Sequence, residues 1–498
     1  MAKKAPKQPK EVKLEDILFN CRDLLRGRAP MQDKRDLLLT LVFFKFVGDR
    51  FNERREAIIE QYKDEPALAE ILVEDSSSYG MDGIFFLKEE CRWNHLINVE
   101  PKLMAVAFDD AISTLDNEIP TLKNALPKQI FTNTAIDANV LKSVVDEVDK
   151  IDKKKFQEKD LIGRVYEYFL QAFSINADKE EGEFYTPHSI VELIASLIEP
   201  FDGTIYDPCC GSGGMFVQSM KFIEAHGGNT KTVHVYGQEQ EPATYRLAKM
   251  NLAVRGISYD LGDYAASTFT DDHHSDKKVD YIMANPPFNQ KSWREYNELK
   301  DDPRWYGYDV PPTSNANYGW ILNIVSKLSS NGVAGFLLAN GALSGDGIEL
   351  NIRRQLLQNH LVEAIIILPR NMFYSTDISV TLWILAGNRK ARTVEQNGKM
   401  VKYRYRENEV LFVDLRQWGE PFEKKYIQFS AEQITEIAQN IHNWQREGYE
   451  TTYKNIPEYC YSASLDEIEK KSYPARLTYS FVTTDFLINN TPKVLGPQ

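Results

Sequence analysis

The sequence predicts an α/β protein: a mostly parallel, doubly wound sheet with helices on both faces, an all-α domain in front and a further segment behind. Three observations carry that expectation. From about residue 200 to residue 385, short apolar runs alternate with helix-length amphipathic stretches, the rhythm of parallel strands joined by crossover helices. A glycine-rich turn follows the first of these runs and opens a helix. The residues from Leu14 to about Lys155 keep only helical spacing.

The bulk numbers bound the rest. A chain of 498 residues is too long for one core and divides into two or three domains. With 43% hydrophobic and 26% charged residues it has the composition of an ordinary globular protein. No apolar run reaches the length of a membrane span, and the first residues lack the apolar core of a signal peptide. A cytoplasmic protein with no membrane contact is expected. The five cysteines (Cys21, Cys91, Cys209, Cys210, Cys460) contain no Cys-x-x-Cys pair, so neither a metal site nor a disulfide framework is indicated. The net charge of −13 counts against strong DNA binding by the isolated chain, because neutralised phosphates supply most of such affinity. Local basic surface, or a partner that supplies the grip, stays open.

In chain order, residues 1–13 carry five lysines and two prolines and read as a disordered basic arm. Residues 14–155 form the helical domain. One face is Leu14, Ile17, Leu18, Cys21, Leu24 and Leu25; a second is Leu37, Leu38, Leu41, Val42, Phe44 and Phe46. Further helices are expected around Pro101–Asn117 and Ala135–Val148, with a loop at Ser76–Gly83. Residues 156–390 form the α/β domain. Asp160–Ser174 is an amphipathic helix; a polar loop follows, then Glu183-Phe184-Tyr185-Thr186-Pro187 and a helix from His188 to Ile198. Strands are expected at Thr204–Asp207, Val233–Gln238, Val279–Ala284, Gly332–Ala339, Leu361–Leu368 and Ser379–Leu385, where the series closes. The last two have no helix-length gap between them, so one runs antiparallel. Residues 391–498 read as a C-terminal extension for docking a partner subunit, with a hairpin over Lys390–Arg406 and a helix over Ala431–Glu447.

Two turns carry the chemistry. Asp207-Pro208-Cys209-Cys210-Gly211-Ser212-Gly213-Gly214 follows the first strand, and its glycines let the backbone turn sharply and approach a ligand at a helix N-terminus. There is no Gly-Lys-Ser/Thr, which excludes a phosphate-binding P-loop. The second strand ends in Glu239, where a doubly wound fold takes both hydroxyls of a ribose. Asp263 lies where a third strand ends, placed to accept from an adenine amine or a main-chain donor. The fourth strand runs into Asn285-Pro286-Pro287-Phe288. Two prolines stop a strand and stiffen the turn, leaving an amide side chain, a backbone carbonyl and an aromatic face together. Two acceptors and a stacking plate suit a planar ring with an exocyclic amine. The following loop, Asn289–Asn317, is rich in Trp, Tyr, Arg and Pro; DNA contact and a packed lid are both open for it.

Glycine loop, acid and Asn-Pro-Pro-Phe in this order resemble the S-adenosylmethionine-dependent amino-methyltransferases of DNA. Gly182–Pro187 precedes the glycine loop, which is similar to the modification subunits of type I restriction–modification systems. So are Asp160–Ser174, the helical front domain, Leu368–Tyr374 and the total length. The resemblance covers roughly residues 14 to 390. It implies a Rossmann-like methyltransferase domain that takes its methyl group from S-adenosylmethionine and transfers it to the N6 amine of an adenine flipped out of double-stranded DNA. It implies that Glu183, Phe184, Tyr185, Thr186, Pro187 and His188, with Ser212, Gly213 and Gly214, hold the methionine part of the cofactor and Glu239 its ribose; Gly211 and Asp263 are further cofactor-binding candidates by their places in the glycine turn and after the third strand. Asp207 would set the loop near the cofactor's ammonium. Asn285 and the Pro286 carbonyl would accept from the target amine, with Pro287 stiffening the turn and Phe288 stacked on the ring. The implied partners are a specificity subunit, a second copy of the chain and a restriction subunit. Phe216 stands where such loops often have leucine. N4-cytosine methylation, protein-glutamine methylation and a non-catalytic scaffold are the competing readings.

Overall fold

The computed structural model describes residues 14–80, 84–151, 168, 186–373, 378–422 and 426–471. The expected basic arm at 1–13, all of Asp160–Ser174 except Tyr168, and Gly182–Tyr185 therefore lie outside the described residues. The chain divides into two compact units, one of residues 1–178 with 246–256 and the other of residues 179–245 with 257–498.

In the first unit, α1 (Leu14–Leu24), α2 (Met31–Gln61), α3 (Pro101–Glu118) and α4 (Ala138–Asp149) are the long helices. From Leu37 to Phe44, α2 is buried on every side, so it is the central helix around which the others pack. Gly48 on α2 lets Trp93 lie against the backbone: an added Cβ would sit 2.6 Å from Trp93 Cβ. The Trp93 indole N–H donates to Asp149 at 2.6 Å and ties that contact to the end of α4. The expected loop at Ser76–Gly83 contains a helical turn over Ser77–Gly80. Its cause is Tyr79, fully buried and stacked on Phe51 at 4.9 Å, with its hydroxyl donating to the Val73 carbonyl.

The second unit is built on a nine-stranded sheet. Its strands are β1 (Gly203–Asp207), β2 (Val233–Gly237), β3 (Tyr259–Asp260), β4 (Val279–Ala284), β5 (Leu328–Ala339), β6 (Val362–Ile367) and β7 (Val380–Ala386), then two beyond residue 390. After the hairpin of β8 (Arg392–Gln396) and β9 (Lys399–Tyr403) comes β10 (Glu409–Asp414). The small pair β11 (Glu420–Phe422) and β12 (Tyr426–Gln428) precedes β13 (Cys460–Ser464). The order is β13-β10-β6-β7-β5-β4-β1-β2-β3. β7 runs antiparallel to both β5 and β6, and β13 antiparallel to β10; the other pairings are parallel.

The expectation that the sheet closes with Ser379–Leu385 is corrected by β10 and β13. β10 is reached through a hairpin instead of a crossover helix, so the strand–helix rhythm that marks the earlier strands is absent, although five of its six residues are buried. β4 and β2 flank β1, all parallel, so their C-terminal turns share one edge. The chain moves outward from β1 in opposite directions on its two sides, and such a reversal opens the crevice where α/β sheets hold ligands. Among the described residues no helix is long and apolar enough to cross a membrane.

Candidate active site

On one side of the crevice stands the glycine turn. Asp207 closes β1 with 1% of its surface exposed, and its Oδ1 accepts the Cys209 N–H at 3.0 Å. The Gln238 N–H donates to the Asp207 carbonyl at 3.1 Å, and the Cys210 N–H to the Gln238 carbonyl at 2.9 Å. These bonds fold the turn back over the end of β2. Gly211 (φ 54°) and Gly213 (φ 77°) adopt left-handed backbone, which glycine enters without a steric cost. The helix Gly214–Ala225 that follows has no side-chain cap on its first amides. A Cβ built at Gly211 or Gly214 meets nothing within 4 Å, so open space lies in front of both. Gly237 is the opposite case: the Phe216 ring lies 3.0 Å from where its Cβ would be. Phenylalanine at 216 fills the space beside the end of β2.

Glu239 reaches across to that turn. Its Oε2 accepts the Gly211 N–H at 3.0 Å and its Oε1 the Glu241 N–H at 2.8 Å, while its carbonyl accepts the Ala266 N–H at 3.0 Å. The carboxylate is thus oriented by two backbone donors and holds the glycine turn to the β2 end. Burial pushes Asp207 up to about 7, against the Cys209 hydrogen bond, and the nearby Glu239 charge adds to the rise. Asp263 lies beyond β3, two strands out from β1, with its side chain exposed. The loop it sits on is fixed by Gly262 (φ 77°), where an added Cβ would strike the His273 ring. Ser212 is half-buried on the turn.

On the other side stands the Asn285 turn at the end of β4. Asn285 Nδ2 donates to Thr186 Oγ1 at 2.9 Å. Its Oδ1 is buried and has no hydrogen-bond partner among the described residues. A buried acceptor left open is costly in a protein interior; here it is aimed by a partner on the other amide atom. Pro286 is buried, and Pro287 and Phe288 are half-buried. The Phe288 ring meets Phe373 edge-to-face, centroids 5.8 Å apart and planes at 83°. Pro187 precedes the helix His188–Ile198, and His188 is half exposed with its Nδ1 3.5 Å from the Glu192 carboxylate. Glu183, Phe184 and Tyr185 lie outside the described residues.

The aromatic loop after the turn is packed inward. Trp293 and Trp305 are buried. Arg294 donates to the carbonyls of Glu295, Tyr296, Glu298 and Pro311. Arg304 pairs with Asp302 and donates to the Thr268 and Phe269 carbonyls. Thr268 in turn donates its hydroxyl to the Pro208 carbonyl. Of the two readings open for this loop, its buried Trp and its Arg follow the packed one, as internal braces, and Tyr296 and Tyr306 are its exposed rings.

Sequence reasoning did not single out Phe373, Thr268 or the Thr186–Asn285 bond. Phe373 carried one signal, its place in Leu368–Tyr374. Among the described residues no group of His, Cys, Asp or Glu could hold a metal. The crevice therefore joins a carboxylate-lined glycine turn to a stiff turn with an open acceptor, about two strand spacings (~10 Å) from Glu239.

Comparison with known proteins agrees with this arrangement. Residues 157–484 match the family model described as N-6 DNA Methylase, and residues 14–148 the HsdM N-terminal domain. The chain is 39% identical over 382 residues to the methylase subunit of the type I restriction enzyme HindI from Haemophilus influenzae, covering 74% of this chain and 81% of that one. It is 33% identical over 475 residues to the MjaIX methylase subunit from Methanocaldococcus jannaschii, covering 92% and 82%. Its fold is similar to that of the type I restriction–modification methyltransferase subunit from Streptococcus thermophilus, with a TM-score of 0.74 at 22% identity over 94% of this chain and 98% of that one. A family model that matches more than half of the chain, and relatives 39% and 33% identical over most of it, mean that the chain, with its glycine and Asn-Pro-Pro-Phe turns, belongs to the N-6 DNA methylase family, alongside the methylase subunits of type I restriction enzymes.

Proposed function

We propose that the chain transfers a methyl group from S-adenosylmethionine to the N6 amine of an adenine extruded from double-stranded DNA. In this reading it works as the modification subunit of a type I complex, two copies to one specificity subunit that reads the site, with a restriction subunit completing the assembly. The observation that carries the reading is Asn285 Oδ1, a buried acceptor with no hydrogen-bond partner among the described residues, on an amide whose nitrogen is held by Thr186.

The residues present fit the cofactor. Open space at Gly211 and Gly214, uncapped helix amides, and the acids Asp207 and Glu239 suit a ligand that ends in an ammonium group and a ribose diol. Thr186, Pro187, His188 and Ser212 would border the methionine part, Glu239 would accept from the ribose, and Asp263 would meet the adenine end. When bound, the group supplies an electrophilic methyl on a sulfonium.

The protein's part is placement and local polarity. An adenine amine is a poor nucleophile because its lone pair is delocalised into the ring. Asn285 Oδ1 and the Pro286 carbonyl, accepting its two hydrogens, favour a pyramidal nitrogen with a directed lone pair. Phe288 offers the stacking face. Extrusion costs a few kcal/mol, and stacking on an aromatic returns about 1–3 kcal/mol.

Replacing Asn285 with Ala removes one acceptor and is expected to lower turnover by at least about 10²-fold while leaving calorimetric cofactor affinity near normal. Tritium-methyl transfer measures it, and turnover close to that of the parent chain would remove the assignment.

A further inference from the structure

The turn that ends in Phe288 is held from behind by a pair of asparagines. Asn289, the next residue, has left-handed backbone (φ 53°), a conformation asparagine enters more readily than most side chains. Its N–H donates to Asn317 Oδ1 at 3.1 Å, and Asn317 Nδ2 donates back to Asn289 Oδ1 at 3.0 Å. Asn315 Nδ2 donates to the same Oδ1 at 3.3 Å, and its own Oδ1 accepts the Asn317 N–H at 2.8 Å. Asn317 is 1% exposed and is the first residue of the helix Asn317–Lys327. That helix is anchored at once, because the buried Tyr318 hydroxyl donates to the Ala342 carbonyl.

Phe288 is therefore bounded on both sides. Pro287 fixes φ before it, and Asn289 is clamped after it. We propose that Asn317 and Asn289 are a positioning pair that sets the angle at which Phe288 meets an extruded base, without touching the cofactor. The proposal rests on the adenine reading and deepens it. Its chemistry is directional. In both side-chain bonds Asn289 Oδ1 only accepts, so Asn289→Asp keeps every partner. Asn317 must accept with one atom and donate with the other, so Asn317→Asp sets an oxygen against Asn289 Oδ1.

The test compares N289D with N317D in the full-length chain within its native complex, together with N289G, which keeps the left-handed backbone and loses the acceptor. N317D is expected to lower kcat on the order of 10²-fold, the scale of a 1 Å misplacement, with calorimetric cofactor affinity unchanged. N289D is expected to retain most of the parent kcat and N289G to fall between. Fluorescence of 2-aminopurine at the target position reports stacking directly, and its value in the bound complex is expected to change in N317D and not in N289D. If the parent complex methylates adenine and N289D and N317D fall alike, or cofactor affinity falls with kcat, the pair is overturned. A parent complex that methylates no adenine overturns the adenine reading and the pair with it.

Discussion

At the scale of single residues, Asp207 makes the sharpest demand on experiment. Burial, with the Glu239 charge beside it, raises its carboxyl from the ordinary 3.8 to about 7. A positively charged ligand group favours the ionised form, so cofactor affinity is expected to weaken as pH falls through about 7, and Asp207→Asn to flatten that profile. Calorimetry on either side of neutrality checks it; a flat profile in the parent chain would refute the role. Stability follows the same linkage. A folded value above the unfolded one means the contribution is fully present below about 3.8 and lost as pH rises to about 7. Without ligand, Asp207→Asn should therefore melt higher than the parent above neutrality. That Asp207 and Glu239 belong together was legible from the turn and strand that carry them. That Glu239 spends both oxygens on Gly211 and Glu241 amides was not, because such bonds depend on where β1 and β2 stop relative to each other. Nor was the Thr186–Asn285 bond, which joins residues 99 positions apart.

At the scale of elements, β1, β4, β5 and β6 were legible because most of their residues are buried, and apolar runs bounded by helices announce that. The loop after Phe288 was not. Trp, Tyr and Arg supply the same composition to a DNA-facing surface and to a packed brace; only the fold decides which. Here Trp293 and Trp320 both pack tilted against Phe269, ring centroids 4.5 and 4.3 Å away. The guanidinium of Arg304 bolts the loop to Thr268 and Phe269 and, through Thr268, to Pro208 on the glycine turn. Arg304→Ala removes the half-buried pair with Asp302 and the bonds to the Thr268 and Phe269 carbonyls and is expected to cost about 1–3 kcal/mol in denaturant unfolding. Arg304→Lys keeps the charge but not the fork that serves several acceptors, and should recover only part of the loss. Tyr296→Ser and Tyr306→Ser alter rings that are 79% and 76% exposed and should change stability by no more than about 0.5 kcal/mol. A neutral Arg304→Ala would show that the loop is held elsewhere.

At the scale of the whole molecule, the question is where the sheet domain ends. Glu363 on β6 is 1% exposed. Its two oxygens accept from Arg389 and Arg406 at 2.9 Å each, and Gln445 adds a third donor at 3.1 Å. Burial alone would raise this carboxyl; the guanidiniums of Arg406 and Arg389 outweigh it and hold it at about 2. All four members of this network lie on or after β6, and two of them, Arg406 and Gln445, lie beyond residue 390. β10, paired in parallel with β6, lies there too. A chain ending at Lys390 would expose the edge of β6, all six of whose residues are buried. It would also leave Glu363 facing a single arginine. Breaking such a pair costs about 3–5 kcal/mol, and the unpaired strand edge adds a template for association. That shortened chain is expected to lose cooperative unfolding and cofactor binding, although it retains β1, β2, β4 and both turns. Full-length Glu363→Gln should fold but melt lower, and the difference from the parent should shrink as pH falls from about 4.5 towards 2, where the parent's own carboxylate is protonated. A chain ending at Lys390 that melts cooperatively and binds the cofactor like the parent would place the boundary where the strand–helix rhythm stops, and make β10 and β13 an addition to a sheet already complete.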